Sequence, residues 1–178
     1  MGDPDAPPLD SESLVGLLDR HGVAYVLVGG LAAVAHGAMR ATFDVDIVPR
    51  WKPDNLDALA RALRAANARL RVPGVAEPVE VPLDGRTFGH YEVSTWRTIH
   101  GAIDVIAGTP TKVRGQLASF DALASRAHAR QAFGMTILVA DLDDIIEAKE
   151  TLNREPDRVA LPELRLLRNP LRRRGSGR

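Results

Sequence analysis

The sequence predicts an α/β (α+β) fold, in which a small mixed β-sheet is flanked by helices and followed by a helical extension at the C-terminus. Short apolar runs rich in β-branched residues alternate with segments whose apolar residues recur at helical spacing. Such alternation is typical of mixed folds. With 178 residues, of which 45% are hydrophobic, the chain is long enough to bury one core.

The first half of the chain carries clear helix and strand signals. Leu14, Leu17 and Leu18 form an apolar stripe at helical spacing, and Gly29-Gly30 interrupts a β-rich run. The predicted elements are a helix over 11–20, a strand over 25–28, a short apolar helix over 31–36, a strand over 44–48 and an amphipathic helix over 53–68.

The second half begins with a connection over 72–90, rich in proline and glycine, which we expect to be mainly loop. His100-Gly101 separates two β-rich runs and predicts a hairpin, and Asp141 provides an acidic cap for a later helix. The predicted elements are strands over 92–99 and 102–106, a helix over 120–129, a strand over 135–139 and two closing helices.

Composition divides the chain into four segments. We expect a disordered tail rich in Pro and Asp over 1–10, a folded core over 11–110, an extension of helices and a strand over 111–169, and a basic tail over 170–178.

The chain has no cysteine and no apolar run long enough to cross a membrane. These absences exclude disulfides and a thiol nucleophile, and we expect a cytoplasmic protein without membrane association. The 23 basic and 23 acidic residues give a net charge of zero, so no global field attracts RNA.

Local arginine clusters leave two interpretations open. They either contact nucleic-acid phosphates or form solvated helix faces and a charged tail. The residues concerned are Arg61, Arg64, Arg69, Arg71, Arg165, Arg168 and Arg172 to Arg174.

The pair Asp44 and Asp46 is the strongest functional signal. Residues i and i+2 of a strand project from one face, so both carboxylates point the same way while Val45 and Ile47 point into the core. Like charges held that close repel each other unless a cation lies between them, and Mg²⁺ prefers carboxylate oxygens. The alternative is a solvated strand end that carries two acids.

Gly29-Gly30 lies between a predicted strand and a predicted helix, directly upstream of the acidic strand. Glycine at such a bend lets backbone N–H groups approach a phosphate, and the helix N-terminus favours negative charge. We therefore expect phosphate contacts and metal ligands side by side, although a Gly-Gly alone is most often a tight turn.

Val28-Gly29-Gly30, followed after thirteen residues by Asp44-Val45-Asp46, resembles the signature of the DNA polymerase β-like nucleotidyltransferase superfamily. The run from Gly29 to Gly37, with Arg40 and Thr42, more narrowly resembles the AbiEii and mycobacterial MenT toxin nucleotidyltransferases. The likeness is strong over residues 23–50 and loose elsewhere. The second glycine stands where many superfamily members have a serine.

Two later residues need partners on physical grounds. Asp104 interrupts an apolar strand, where an unpaired charge is costly to bury, unless it faces water at a sheet edge. Lys149 falls on the apolar stripe of its helix, so it needs an anionic partner, an acid cluster or a triphosphate, or must extend its amine to solvent.

The resemblance implies a nucleotidyltransferase fold, with the nucleotidyltransferase core over 11–110 and the extension over 111–169 completing the site. It also implies roles for these residues. Asp104 would be the third carboxylate, binding Mg²⁺ (or Mn²⁺) together with Asp44 and Asp46, and Asp157 would support the site. Asp157, which follows Lys149 and Arg154 in the toxins' closing pattern of a Lys, an Arg and an Asp, is alternatively a first-turn acid of the last helix. The residues expected to contact the NTP are Gly29, Gly30, Arg40, Thr42 and Lys149.

The same resemblance implies an acceptor and a partner. The acceptor would be the 3′ end of tRNA, so that transfer blocks translation, and a cognate antitoxin could phosphorylate Thr42. The open alternatives are a small-molecule or protein hydroxyl as acceptor, and a degenerate module that binds nucleotides without catalysis. The sequence does not indicate the oligomeric state.

Overall fold

The computed structural model describes residues 7–169 and contains a seven-stranded mixed sheet and a two-stranded sheet. The strands are β1 (Tyr25–Val28), β2 (Asp44–Pro49), β3 (Arg69–Arg71), β4 (Val93–Thr98), β5 (Gly101–Ile106), β6 (Thr109–Pro110), β7 (Leu117–Ala118), β8 (His128–Ala132) and β9 (Met135–Val139). The predicted α/β class is thereby confirmed.

Six α-helices flank the sheets in the described part of the chain. They are α1 (Ser11–Arg20), α2 (Gly29–Ala35), α3 (Pro53–Ala65), α4 (Phe120–Ala124), α5 (Leu142–Leu152) and α6 (Glu155–Arg168). Acidic caps begin two of them, since Asp10 accepts from the backbone N–H of Ser13 and Asp141 from that of Asp143. The predicted cap at Asp141 is therefore present.

The large sheet has the strand order β3-β4-β5-β2-β1-β9-β8. β2 lies at its centre, parallel to β5 and antiparallel to β1. The hairpin of β8 and β9 belongs to the same sheet, because β9 pairs with β1 in parallel. Strands from both halves of the sequence therefore build one surface.

Alternation along the central strands separates two faces of the sheet. One face is apolar and buried in the core, where Val45, Ile47, Ile103, Val105 and Trp96 are all at most 2% exposed. The intervening residues of β2 and β5 project from the opposite face. That second face carries the acids that the sequence singled out.

The helix predicted over 120–129 is wrong in its second half. α4 ends at Ala124, and residues 128–132 form the edge strand β8. Phe133 and Gly134 both have positive φ and turn the chain directly into β9, so pairing with β9 outweighs the local helical pattern.

Further boundaries differ from the sequence expectation, since α2 runs from Gly29 to Ala35 instead of over 31–36 and α3 ends at Ala65 instead of at residue 68. The hairpin turns at Ile99-His100, one residue earlier than predicted, and Gly101 opens β5 with a φ of +104°. The short strand β3 was not predicted. The 72–90 connection is mainly loop as expected, with one bridge between Leu70 and Val79 and a 3₁₀ turn over Thr87–His90.

The expectations for residues 1–6 and for the basic tail over 170–178 lie outside the described residues. Within 7–169, none of the helices combines the length and the apolar composition that crossing a lipid bilayer requires.

Candidate active site

Three aspartates meet on the open face of the sheet. The parallel register of β2 and β5 places Asp46 directly opposite Asp104, and Asp44 lies two residues before Asp46 on the same face. One carboxylate oxygen from each residue lies within 4.8 Å of those of the other two. The structure thus brings together the three acids proposed as metal ligands, here called the aspartate cluster.

The aspartate cluster is electrostatically unfavourable without a cation. Burial, together with the charges of Asp44 and Asp104, raises the pKa of Asp46 to about 7. Burial also raises the pKa of Asp104, against a hydrogen bond from Thr95 that lowers it. Two carboxyls therefore have pKa values above the ordinary aspartate range.

Asp104 offers a direct test of whether a metal fits. Its Oδ1 is buried and has no hydrogen-bond partner among the described residues, although an unsatisfied buried carboxylate oxygen is costly. A divalent cation between the three carboxylates would satisfy that oxygen. Because all the donors are carboxylate oxygens, the site suits hard ions such as Mg²⁺ or Mn²⁺.

The Gly29-Gly30 bend wraps around Asp46. Gly29 has a φ of +66°, and a Cβ at that position would lie 1.9 Å from Oδ2 of Asp46. The backbone N–H of Gly30 donates to the same oxygen over 3.4 Å. The glycines therefore make room for a metal-site carboxylate, a role that the sequence analysis had not assigned to them.

Thr42 fills the space beside Gly30. Its hydroxyl donates to the backbone carbonyl of Asp44 over 3.1 Å, and a Cβ on Gly30 would lie 2.7 Å from its Oγ1. A serine therefore does not fit at position 30 while Thr42 keeps this position. Arg40 is exposed in the loop before β2 and has no ion pair with any residue in the described ranges.

Lys149 finds its anionic partner in Asp157. The Lys149 Nζ donates to Oδ1 of Asp157 over 3.2 Å, and the Nε of Arg154 donates to Oδ2 over 2.7 Å. The Asp157 side chain is only 1% exposed. We call these three residues the buried ion triad, and they explain why a lysine lies on the apolar stripe of α5.

Asp157 also lies in the first turn of α6, as the alternative interpretation of this residue expected. It accepts the backbone N–H of Arg154 over 3.3 Å. Burial alone would raise the pKa of Asp157, but the hydrogen bonds from Arg154 and Lys149 hold it below its usual range. Asp157 is therefore ionised and joins α5 to α6.

Positive charge from the buried ion triad reaches the aspartate cluster. Lys149 lowers the pKa of Asp46 against the effect of burial, and Asp46 and Asp104 help to raise the pKa of Arg154. Sequence reasoning found Arg154 only through the toxin resemblance. In the sequence, only its position between Lys149 and Asp157 indicated a role. Its place in the buried ion triad depends on how α5 packs against α6, which the sequence alone does not give.

Several predicted cationic positions have local partners instead. Arg165 pairs with Glu150 over 2.8 Å, and Arg168 pairs with Asp143 over 2.9 Å. Arg64 donates to the carbonyl of Leu83. These contacts favour the interpretation of solvated helix faces for this part of the arginine set, whereas Arg69 and Arg71 lie on β3.

No protein-family model and no curated protein sequence matches the chain. Solved structures do match. The lincomycin-bound lincosamide antibiotic adenylyltransferase LnuA has a TM-score of 0.56 at 14% identity, over 90% of this chain and 99% of that one.

Two other structures show the same likeness. A Thermotoga maritima protein proposed to be a nucleotidyltransferase has a TM-score of 0.53 at 16% identity, over 84% of this chain and 88% of that one. The antibiotic-resistance factor ANT(2″)-Ia has a TM-score of 0.51 at 12% identity, over 91% and 89% of the two chains. The chain therefore has the nucleotidyltransferase fold.

Proposed function

We propose that this protein is a metal-dependent nucleotidyltransferase, which transfers the nucleoside monophosphate part of an NTP to an acceptor hydroxyl. The observation that carries the proposal is the register of β2 and β5, which sets Asp46 opposite Asp104 with Asp44 beside them. Paired carboxylates that hold divalent ions are the machinery that phosphoryl transfer requires. The nucleotidyltransferase fold supports the same chemistry.

The residues of the site divide the work of transfer. Asp44, Asp46 and Asp104 would hold Mg²⁺ or Mn²⁺, which when bound stabilises charge on the α-phosphate and on the leaving pyrophosphate. The acceptor oxygen forms a bond to the α-phosphorus as the bond to pyrophosphate breaks. Asp104 lies in the aspartate cluster, and by the resemblance to nucleotidyltransferases it would accept the proton that the acceptor hydroxyl loses.

The nucleotide phosphates would contact the positively charged and backbone groups around the aspartate cluster. Arg40 has no ion pair within the described ranges, so its guanidinium is available to an incoming phosphate. Lys149 is held by Asp157, so it contributes charge from a fixed position. Thr42 and the Gly29-Gly30 bend border the same space.

For the acceptor we propose the 3′ end of tRNA, with the protein acting as the toxin of a toxin–antitoxin system. This step rests on the sequence resemblance of Gly29 to Gly37, Arg40 and Thr42 to the AbiEii and MenT toxins. A phosphate on Thr42 would place negative charge against the backbone of Asp44, which is a rational route to inhibition by an antitoxin.

The test incubates the full chain with total tRNA, Mg²⁺ and each α-labelled NTP in turn. We expect label in tRNA and release of pyrophosphate, both abolished by Asp46→Ala. Glu92→Ala removes an exposed acid outside the aspartate cluster and should leave transfer unchanged. A folded Asp46→Ala protein with near-normal turnover would contradict the proposal.

A small-molecule acceptor is the second candidate, and the activities named for two of the matched structures are the reason to test it. LnuA is described as a lincosamide adenylyltransferase, and ANT(2″)-Ia as an antibiotic-resistance factor. Replacing tRNA with lincomycin or an aminoglycoside in the same assay separates the two acceptors. Binding of NTP by calorimetry without pyrophosphate release on any acceptor would instead indicate a degenerate module.

A further inference from the structure

A row of arginines continues from the aspartate cluster across the same face of the sheet. The register aligns Asp104 with Thr95 on β4, and Thr95 with Arg71 on β3. Directly opposite residues share a face of the sheet, so Arg71 projects on the side of the metal site. The same argument through Ala102 places Arg97 and Arg69 there, and we call Arg69, Arg71 and Arg97 the arginine row.

Burial agrees with this assignment of faces. Trp96 and Leu70, which alternate with the arginines, are 0% and 3% exposed and belong to the core. Arg69 is exposed, whereas Arg71 and Arg97 are half-buried. Long arginine side chains can lay their alkyl stems on a sheet. Arg71 donates to the backbone carbonyl of Ala76 over 3.4 Å, and the Arg97 side chain is 18% exposed, so a phosphate would exchange with contacts that these residues already make.

The spacing places the arginine row within reach of a polymer bound at the metal site. Neighbouring strands lie about 4.8 Å apart, so Arg71, two strands from Asp104, is about 10 Å away along the sheet. If the terminal hydroxyl of a nucleic-acid strand lies at the aspartate cluster, the phosphates next to that end would lie over β4 and β3. A polycationic aminoglycoside would be repelled there.

Among residues 7–169, two acids form ion pairs with the arginine row. Glu80 is 3.6 Å from Arg69, and Glu77 is 3.9 Å from Arg97. Both glutamates belong to the 72–90 connection, and their side chains are 82% and 88% exposed. The Arg69–Glu80 pair is exposed on both sides and contributes at most about 1 kcal/mol, whereas the Arg97–Glu77 pair has a covered arginine but is long at 3.9 Å. A phosphate oxygen can therefore replace either carboxylate.

We propose that the arginine row binds the backbone phosphates of a polynucleotide acceptor next to its reacting 3′ end, displacing Glu77 and Glu80. The inference rests on the proposed function and narrows its acceptor to a nucleic acid strand. It also explains how a chain with no net charge can bind RNA, since the attraction is local to β3 and β4.

The test measures fluorescence anisotropy of a labelled single-stranded RNA that ends in a 3′-hydroxyl, titrated with the full chain over a range of salt. Arg71→Gln/Arg97→Gln should weaken binding about tenfold and lower the salt slope by about 1.4, since each single-strand phosphate contact contributes about 0.7. Arg61→Gln removes a charge from the exposed face of α3, outside the row, and is the matched control.

A second variant tests the displacement step. Glu77→Gln/Glu80→Gln should tighten RNA binding about threefold, because the phosphates no longer compete with carboxylates. If the double arginine variant does not fold, Arg69→Gln changes an exposed position of the same row. We expect Arg69→Gln to weaken RNA binding about threefold and to lower the salt slope by about 0.7, as for the loss of one phosphate contact.

The outcomes separate this inference from the proposed function. The inference would be overturned if Arg71→Gln/Arg97→Gln bound RNA with the same affinity and salt slope as Arg61→Gln. It would also be overturned if calorimetry showed that the double variant loses NTP affinity as much as it loses RNA affinity, because the arginine row would then bind the triphosphate. RNA binding through the row without any nucleotide transfer would support the arginine row and contradict the proposed enzyme. Transfer to tRNA that is unchanged in the arginine variants would support the proposed enzyme and contradict the role of the arginine row.

Discussion

Gly30 and Thr42 compete for one small volume beside the aspartate cluster. Alanine in a helix is favoured over glycine by about 1 kcal/mol, but a Cβ on Gly30 would lie 2.7 Å from the Thr42 hydroxyl. That hydroxyl is held by the carbonyl of Asp44, so it cannot move freely. We therefore expect Gly30→Ala to lower the free energy of unfolding by about 1–3 kcal/mol, measured by urea denaturation.

A double-mutant cycle provides the control. In a Thr42→Ala background the hydroxyl is gone, so Gly30→Ala should become neutral or stabilising. An equal loss in both backgrounds would mean that another contact opposes the new methyl group.

Removal of one acid from the aspartate cluster should separate stability from activity. Asp46→Asn keeps the shape of the side chain and abolishes the repulsion with Asp44 and Asp104. We expect transfer to fall by at least about a hundredfold, while the metal-free protein gains about 1–3 kcal/mol in free energy of unfolding. Thermal melts of the metal-free Asp46→Asn protein measure this gain, with Glu92→Gln as the control. If Asp46→Asn is instead destabilised, the Asp46 carboxylate has a structural role.

At the scale of residues, local spacing in the sequence predicted most of the candidate site residues. The other residues could be identified only from the register of the paired strands. Asp44 and Asp46 follow from the period of a strand, and Asp104 from a charge inside an apolar run. Arg71, Arg97 and Thr95 have no comparable signal, because their relation to the metal site depends on pairing between three strands. The partner of Lys149 was predicted only as a class, an anion.

The elements α5 and α6 are joined by the buried ion triad. Asp157→Asn would leave Lys149 and Arg154 without their common carboxylate in a buried position. Breaking a buried pair from one side costs about 3–5 kcal/mol, because the remaining charge is uncompensated. Since Arg154 is more than half exposed, we expect a smaller loss, about 2–3 kcal/mol, by urea denaturation.

A matched control comes from the same pair of helices. Asp143→Asn breaks the pair with Arg168, in which both side chains are more than half exposed, and should cost under about 0.5 kcal/mol. Similar losses in the two variants would mean that burial does not distinguish the two pairs.

The sign of the pH effect follows from the lowered pKa of Asp157. Its folded pKa lies below the unfolded value, so its contribution to stability is complete above the unfolded pKa of about 3.9 and is lost as the pH falls through the folded pKa. Asp157→Asn should therefore narrow the difference in stability between neutral and strongly acidic solution.

At the scale of elements, strong local patterns predicted well and pairing overrode weaker ones. α1 and β9 have the predicted bounds, since their apolar patterns are clear. The first two residues of β8, His128 and Ala129, were predicted as the end of a helix, yet the turn at Phe133-Gly134 pairs them with β9. β3, with three residues, is too short to show a period.

At the scale of the whole molecule, charge is separated on one face of the sheet although the chain has no net charge. The aspartate cluster lies on β2 and β5, and the arginine row lies on β4 and β3 beside it. The proposed metal and phosphate sites therefore lie next to each other on one face of the sheet, and we expect metal binding to raise the free energy of unfolding of the whole fold.

This coupling predicts how Mg²⁺ stabilisation depends on pH. Because the pKa of Asp46 is raised to about 7 in the metal-free fold, the folded state binds a proton more tightly than the unfolded state does. Without metal, the folded state is therefore most favoured over the unfolded state at low pH, and this contribution to stability is lost as the pH rises towards and through 7. Mg²⁺ binds the ionised carboxylates, so protons compete with it at low pH.

We expect Mg²⁺ at about a hundred times its Kd to add about 2.7 kcal/mol, or roughly 5–10 °C in Tm, at a pH of about 8. At a pH of about 5 the gain should be small, because Asp46 is protonated and no longer a ligand. Differential scanning fluorimetry with Mg²⁺ or with a chelator measures both, and Asp46→Asn should abolish the gain at either pH. A gain in Tm that does not vary between the two pH values would place the ion on groups other than the aspartate cluster.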